Sequence, residues 1–196
     1  MTPNKPIFTV LMPAHNAEAT IAASIKSVLA QTFPDFELII INDGSSDDTS
    51  AVIREFVDPR IVVIDQEPSG CPAGARNPGI RLANGSYIAF LDADDAWGPM
   101  KLERVQSALD REDPSEMVCH DVRLIDASGV AGTRAYRLDR RPLYSQLLYR
   151  GNFLTTSAMV VRTSDLRSVG GFVIDTEHPV AEDFDLWLRL AESGSR

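Results

Sequence analysis

The 196-residue sequence predicts an α/β fold: a mostly parallel, twisted, Rossmann-like sheet with helices on both faces. Three observations predict it. Short apolar runs alternate with segments of helical spacing, the order that builds parallel sheets. The apolar runs show too little polar alternation for a sheet with one wet face. Two of them lead into carboxylates, Asp43 and Asp92, at the strand ends where ligands of such sheets bind.

Each element has its own warrant. "IFTVLM" (7–12) is β-branched and apolar, and "PAHN" ends it. Over 17–31, Ile21, Ile25, Val28 and Leu29 recur at helical spacing, with Asn16 as the expected N-cap. "FELIIIN" (36–42) is the second strand. "DGSSDDTSAVIREF" turns into a helix, with Ser46 as N-cap and Asp47 and Asp48 in the first turn, where the helix dipole favours acids. "RIVVID" (60–65) is the third strand, and "SGCPAGARN" (69–77) reads as a loop. Asn77 as cap and Pro78 as first residue then start a helix through Ala83. "YIAFLD" (87–92) is the fourth strand and "GPMKLERVQSALD" (98–110) a helix.

After "DREDPSE" (110–116) the texture changes. "MVCHDVRLID" and "TSAMVVRT" read as strands, with an Arg- and Tyr-rich stretch (134–150) between them. "AEDFDLWLRLAES" (181–193) is a helix whose apolar face is Leu186, Trp187 and Leu190. The second part is too short for its own core. The expected organisation is a single domain, 1–196, with halves 1–112 and 113–196.

Composition narrows the function. With 44% hydrophobic and 24% charged residues the chain reads as an ordinary soluble globular protein. A net charge of −9 argues against nucleic acid or an anionic membrane as the main partner, since both reward Lys and Arg. It leaves room for a phosphate-bearing substrate bound through a cation. Cys71 and Cys119 are far apart and match no zinc spacing, so two reduced thiols in a cytoplasmic protein are expected. No signal-peptide pattern opens the chain, and no apolar stretch approaches the ~20 residues that span a bilayer.

The chemistry concentrates in acids. Asp92, Asp94 and Asp95 follow an apolar strand. They read either as a surface turn before a helix or as oxygen ligands for Mg²⁺ or Mn²⁺ shared with substrate phosphates. Two carboxylates about 4 Å apart repel by roughly 4 kcal/mol at an effective dielectric of 20, which favours a cation. Asp43 is a turn residue of "NDGS", with a small role in stability, or an acceptor for a ligand such as a nucleobase. Arg76 is an exposed Arg at a helix start or the fork that neutralises an anion. Glu182 and Asp183 are acids of a first helical turn, and Asp183 is also a candidate general base. No GxxxxGK[ST] or GxGxxG phosphate loop is present. The stretch 134–150 reads as a solvated face or as an acceptor-side lip towards a phosphate-bearing or membrane-linked acceptor.

The segments "VLMPAHNAEATIAASIKSVLAQTFPDFELIIINDGSSDDT", "ARNPGI", "ANGSYIAFLDADD" and "AEDFDLWLRL" resemble the family 2 glycosyltransferases, in the family's order and spacing and over nearly the whole chain. The resemblance implies a GT-A fold, a nucleoside-diphosphate-sugar donor, a divalent metal (Mn²⁺ or Mg²⁺) and transfer with inversion to an acceptor hydroxyl, saccharide or lipid-linked. Carried over, Pro13 and Ala14 match the loop against the nucleoside, and Asp43 matches the acid at the base, usually uracil. Arg76 matches the Arg near the nucleotide. Asp92 and Asp94 match the D-x-D pair, Asp92 towards the ribose and Asp94 on the metal. Asp183 matches the base that deprotonates the acceptor. Asp95 and Glu182 are expected to support these residues or cap helices.

The chain ends at "AESGSR", directly after that last helix, so a catalytic core without the closing elements of its relatives is expected. The Q-x-x-R-W signature of processive synthases is absent, which favours single transfers. A cytoplasmic enzyme with peripheral contact at the inner membrane face is the expected setting. The competing readings are a nucleotidyltransferase, which would carry a Gly-rich basic loop where "PAHNAE" stands, and a non-catalytic sugar-nucleotide-binding module.

Overall fold

The computed structural model describes residues 5–110, 117–126, 129–174 and 181–194. Strands β1 (Phe8–Ala14), β2 (Phe36–Asp43), β3 (Ile61–Gln66), β4 (Tyr87–Phe90) and β5 (Met117–Cys119) come first. A hairpin of β6 (Val122–Asp126) and β7 (Gly129–Arg134) follows, then β8 (Met159–Arg162). The helices are α1 (Ile21–Leu29), α2 (Thr49–Arg54), α3 (Pro72–Leu82), α4 (Lys101–Leu109), α5 (Leu143–Arg150), α6 (Thr163–Ser168) and α7 (Glu182–Glu192). The main sheet has the order β3-β2-β1-β4-β8-β5. β1 to β4 run parallel, and β8 is antiparallel to both its neighbours.

Alternate residues of each central strand feed two apolar layers, as the twofold period of a strand requires. Val10, Met12, Leu38, Ile40 and Ala89 pack with Ile21, Ile25, Ile53, Leu102 and Val105 of α1, α2 and α4. Leu11, Ile39, Ile41, Ile88 and Phe90 pack with Ile80, Leu147, Leu166, Leu186 and Trp187 of α3, α5, α6 and α7. Both halves of the chain therefore share one sheet and its two cores; the expected boundary at 112/113 lies outside the described residues. Phe90, Phe172 and Trp187 meet edge to face, with ring centroids 5.7–6.4 Å apart, an arrangement that fixes α7 against the sheet.

Several local expectations are corrected. Asn16 does not cap α1, which starts at Ile21. Its backbone is left-handed, φ 49°, and its Oδ1 accepts the Ser46 N–H at 2.8 Å, tying two loops together. Ser46 does not cap α2, which starts at Thr49; Asp47 Oδ1 takes the Thr49 N–H at 3.0 Å instead.

The expected loop 69–77 is mostly helix. Cys71 is extended, Pro72 is the first residue of α3, and the helix runs through Pro78. Pro78 has no N–H for the Gly74 carbonyl, and that carbonyl lies 3.4 Å from Gln66 Nε2, which donates to it. Asn77 is not a cap but a buried clasp that accepts from Phe172 N–H at 2.9 Å and donates to Phe172 O at 2.8 Å. Of the glycines that suggested a loop, Gly70 holds a left-handed turn, φ 78°, and Gly74 lies inside the helix, where a Cβ would come within 2.4 Å of Ser69 Cβ. A Cβ on Gly79 would lie 2.1 Å from Leu11 Cδ1, so its absence lets α3 settle onto β1.

"MVCHDVRLID" is two strands in different sheets, broken at His120–Asp121. "TSAMVVRT" opens as a 3₁₀ turn at Thr156–Ala158, and Thr163 already begins α6. The fourth strand stops at Phe90, two residues before Asp92.

Candidate active site

The sheet order reverses at β1, since β2 lies on one side of it and β4 on the other. Crevices at such a switch point, beyond the carboxyl ends of the strands, are where open α/β sheets bind ligands. Pro13 and Ala14 end β1 there, in register with Ile41 and Asn42 of β2, and Asp43 follows. His15 Nδ1 lies 2.6 Å from the Asp43 carbonyl oxygen.

Asp43 is not a free turn residue. It is the last residue of β2 and 5% exposed. Its Oδ1 accepts from Gln66 Nε2 at 2.6 Å and Ser69 N–H at 2.9 Å, and its Oδ2 accepts from Ser69 Oγ at 2.7 Å. The carboxylate thus anchors the segment between β3 and α3, and the expectation of a small structural role is corrected. Three bonds leave acceptor capacity on Oδ2.

Arg76 is neither exposed nor at a helix start. It lies inside α3, 6% exposed. Nη2 donates to Asp92 Oδ1 at 2.6 Å and Nη1 to Glu182 Oε1 at 2.7 Å, while the guanidinium carbon sits 5.4 Å from the Phe172 ring centroid. The fork of Arg76 therefore orients protein carboxylates, and Asp92 keeps its second oxygen without a protein partner among the described residues. Glu182 Oε2 also accepts the Ala73 N–H at 3.2 Å, which covers the start of α3. Burial pushes the Glu182 pKa up, against the opposing pull of Arg76 and the Ala73 N–H.

Asp183 is the neighbour of Glu182 on α7. Its Oδ1 accepts from Asn152 Nδ2 at 3.0 Å and from Phe184 N–H at 2.7 Å, and Oδ2 accepts from Thr156 Oγ1 at 3.4 Å. The next residue, Ser157, accepts the Asp92 N–H on its Oγ at 3.0 Å. Two short bridges, Glu182–Arg76 and Thr156–Ser157, thus join Asp183 to Asp92. The sequence places these residues about 90 apart; the fold makes them neighbours.

Asp94 and Asp95 are exposed, and Asp94 has no protein partner among the described residues. Desolvation of the Asp95 carboxyl raises its pKa; a hydrogen bond from Ser157 opposes this, and the charges of Asp92 and Asp94 add to the rise. Such crowding of like charges fits a cation. Among the described residues no three His, Cys, Asp or Glu side chains form a metal cage. Asp94, an exposed carboxylate without a protein partner among the described residues, offers the oxygen-only chemistry that suits a hard divalent cation.

Sequence reasoning missed the residues that brace this loop. Lys101 is buried, its Nζ 3.5 Å from the Trp97 ring centroid and donating to Ser157 O at 3.2 Å. Trp97 Nε1 donates to the same oxygen at 3.2 Å. Burial holds the Lys101 pKa well below the usual lysine value. Ser157 and Asn152 were likewise unforeseen; no pattern within their own segment marks a Ser or an Asn as the partner of a distant carboxylate.

The sheet order, with acids gathered at its switch point, is that of an α/β fold of the GT-A type. The Glycosyl transferase family 2 description matches residues 9–170. The chain belongs to that family of glycosyltransferases. It is 33% identical over 189 residues to the Escherichia coli UDP-Glc:alpha-D-GlcNAc-diphosphoundecaprenol beta-1,3-glucosyltransferase WfgD, covering 96% of this chain and 71% of that protein. The E. coli enzyme WfaP, described by the same reaction, is 30% identical, with the same coverage. Among solved structures, S. aureus TarS 1-349 in complex with UDP superposes with a TM-score of 0.75 at 21% identity, over 94% of this chain and 54% of that one. The mannosyltransferase PcManGT from Pyrobaculum calidifontis, in complex with GDP-Man and Mn²⁺, gives 0.73 at 19%, over 99% and 54%. The chain thus spans about half the length of these solved structures. Family membership decides against the nucleotidyltransferase reading. Among the described residues, no helix is long and apolar enough to cross a membrane.

Proposed function

We propose that the chain is the catalytic core of an inverting glycosyltransferase that moves a sugar from a UDP-sugar to an acceptor hydroxyl. The observation that carries this is the paired bridge between Asp183 and Asp92, which sets a candidate base beside the candidate donor site. Pro13, Ala14 and Asp43 would flank the nucleoside, Asp92 the ribose, and Asp94 would hold a divalent cation, Mn²⁺ or Mg²⁺. When bound, that cation supplies charge neutralisation for the departing diphosphate. Arg76 contributes by holding Asp92 and Glu182 in place.

Asp183 accepts the proton of the acceptor hydroxyl. The acceptor oxygen forms a bond to the anomeric carbon on the face opposite the nucleotide. The bond from that carbon to the diphosphate oxygen breaks, and its electron pair leaves with the diphosphate. Asn152 and Thr156 orient the Asp183 carboxylate for the role of base. UDP, rather than GDP, is favoured by the named reaction of WfgD and by the UDP complex of TarS.

The test is Asp183→Asn, assayed for donor turnover and for UDP binding by calorimetry with Mn²⁺ and with EDTA. We expect turnover to fall by roughly 10²-fold or more with UDP affinity unchanged, and UDP binding to weaken strongly in EDTA. Full turnover in Asp183→Asn would remove it as the base, and equal UDP affinity in EDTA would remove the metal. Release of no free UDP from any donor would leave a binding module instead of an enzyme.

A further inference from the structure

A cavity of about 540 Å³ is lined by Arg134, Tyr136, Arg137, Arg150, Asn152 and Phe153. It touches the candidate active site at two points. Asn152 lines the cavity and donates to Asp183 Oδ1 at 3.0 Å. Thr155, next to Thr156, accepts from Tyr136 Oη at 2.5 Å and from Arg134 Nη1 at 3.3 Å.

Three arginines converge here on a chain of net charge −9, and they are not equivalent. Arg150 is occupied: it donates to Gln146 Oε1 at 3.2 Å, to Asp139 Oδ2 at 3.2 Å and to the Arg137 carbonyl at 3.0 Å. It fixes the backbone that carries Arg137. Asp139 is in turn held by Arg141 at 2.6 Å, and Asp121 Oδ1 accepts the Tyr136 N–H at 2.9 Å. Arg137 has no side-chain partner among the described residues, and Arg134 meets only a neutral hydroxyl. Two guanidinium groups with unused donors therefore face one concavity, with no carboxylate among the described residues to neutralise either. Arg forks of this kind match phosphate oxygens in geometry as well as charge.

We infer that this cavity binds the phosphate-bearing part of the acceptor, with Arg134 and Arg137 as the anion contacts. The inference rests on Asp183 as the base, because the cavity's value lies in holding a sugar phosphate while a hydroxyl of that sugar reaches Asp183. A volume of this size is in the range of small-ligand sites and exceeds what a bare ion needs. The acceptor is thus a sugar joined to its carrier through phosphate, and the enzyme reads the anion as well as the sugar.

The probe is inorganic pyrophosphate, titrated in EDTA into the ¹⁵N-labelled chain and followed by amide shifts. We expect saturable shifts at Arg137, Asn152 and Phe153. Their affinity should fall at least tenfold in Arg134→Gln/Arg137→Gln and several-fold in Arg137→Gln alone, whose side chain supports no other residue. Asp94→Asn, which alters only the candidate donor site, should leave the affinity unchanged. Shifts confined to 14–15 and 92–95, or equal affinity in the double variant, would overturn the inference. Vesicles of phosphatidylglycerol and of phosphatidylcholine form the second arm. Arg137-dependent binding to the anionic vesicles without pyrophosphate binding in solution would assign the arginines to a membrane surface and overturn it too. Asp183→Asn should not weaken pyrophosphate binding, so failure of the base assignment and failure of this site read out separately.

Discussion

Asp43→Ala separates anchoring from ligand binding. The carboxylate accepts three hydrogen bonds, from Gln66 Nε2, Ser69 N–H and Ser69 Oγ. Truncation does not orphan all three donors. Ser69 Oγ is also 3.0 Å from Cys71 O, and Gln66 Nε2 is 3.4 Å from Gly74 O. The Ser69 N–H has no second acceptor among the described residues, and leaving it unmade costs about 1–3 kcal/mol. Weaker geometry for the other two brings the expected loss to about 2 kcal/mol, or roughly 4–8 °C in Tm for a chain of this size. Urea unfolding followed by circular dichroism should show a lower midpoint with an unchanged slope. Asp43→Asn keeps an acceptor for Ser69 N–H and should lose less than half as much. UDP binding, measured where both variants are folded, should weaken in Asp43→Ala. Stability within about 0.5 kcal/mol of the parent, the scatter of ordinary surface substitutions, would refute the anchoring argument. Unchanged UDP affinity would refute the donor-site role.

Arg76→Met should lose about 3–5 kcal/mol, because it strands two carboxylates of which Glu182 is nearly buried. Arg76→Met/Glu182→Leu should recover part of that, and a strictly additive double-mutant cycle would deny the coupling. Gly79→Ala gains about 1 kcal/mol in helix propensity but drives a methyl into Leu11, an overpacking of about 1–3 kcal/mol; a melting point above the parent's would show that Leu11 yields freely. The Arg60 guanidinium and backbone N–H hold the Asp58 pKa down to about 2, against 3.8 unfolded. Its contribution to stability is complete above 3.8 and is lost as pH falls through about 2; an NMR titration midpoint near 4 would contradict this. Burial pushes the Cys119 thiol up to about 12, so iodoacetamide at pH 8 should modify it far more slowly than a free thiol, and labelling at the free-thiol rate would show an open site.

Secondary structure from local pattern was legible where one residue's neighbours decide it. The β2 run "FELIIIN" and the α7 face of Leu186, Trp187 and Leu190 carry their period in the sequence, and both stand in the structure. α3 was misread because Gly and Pro are ambiguous by themselves. Only the folded contacts show that Gly74 fits inside the helix against Ser69 and that Gln66, on β3, serves the carbonyl left by Pro78.

By itself the sequence determined the α/β class, the family resemblance and the acids at the strand ends, because periodicity, turn chemistry and motif spacing are properties of short segments. The tertiary structure alone decided what those acids touch. It tied Asp43 to Ser69, closed Arg76 between Asp92 and Glu182, set Asn152 and Thr156 on Asp183, and opened an arginine-lined cavity at its flank. Hydrogen bonds and charge pairs act over a few ångströms, and the distance between residues 76 and 182 is a property of the folded chain, absent from any stretch of it.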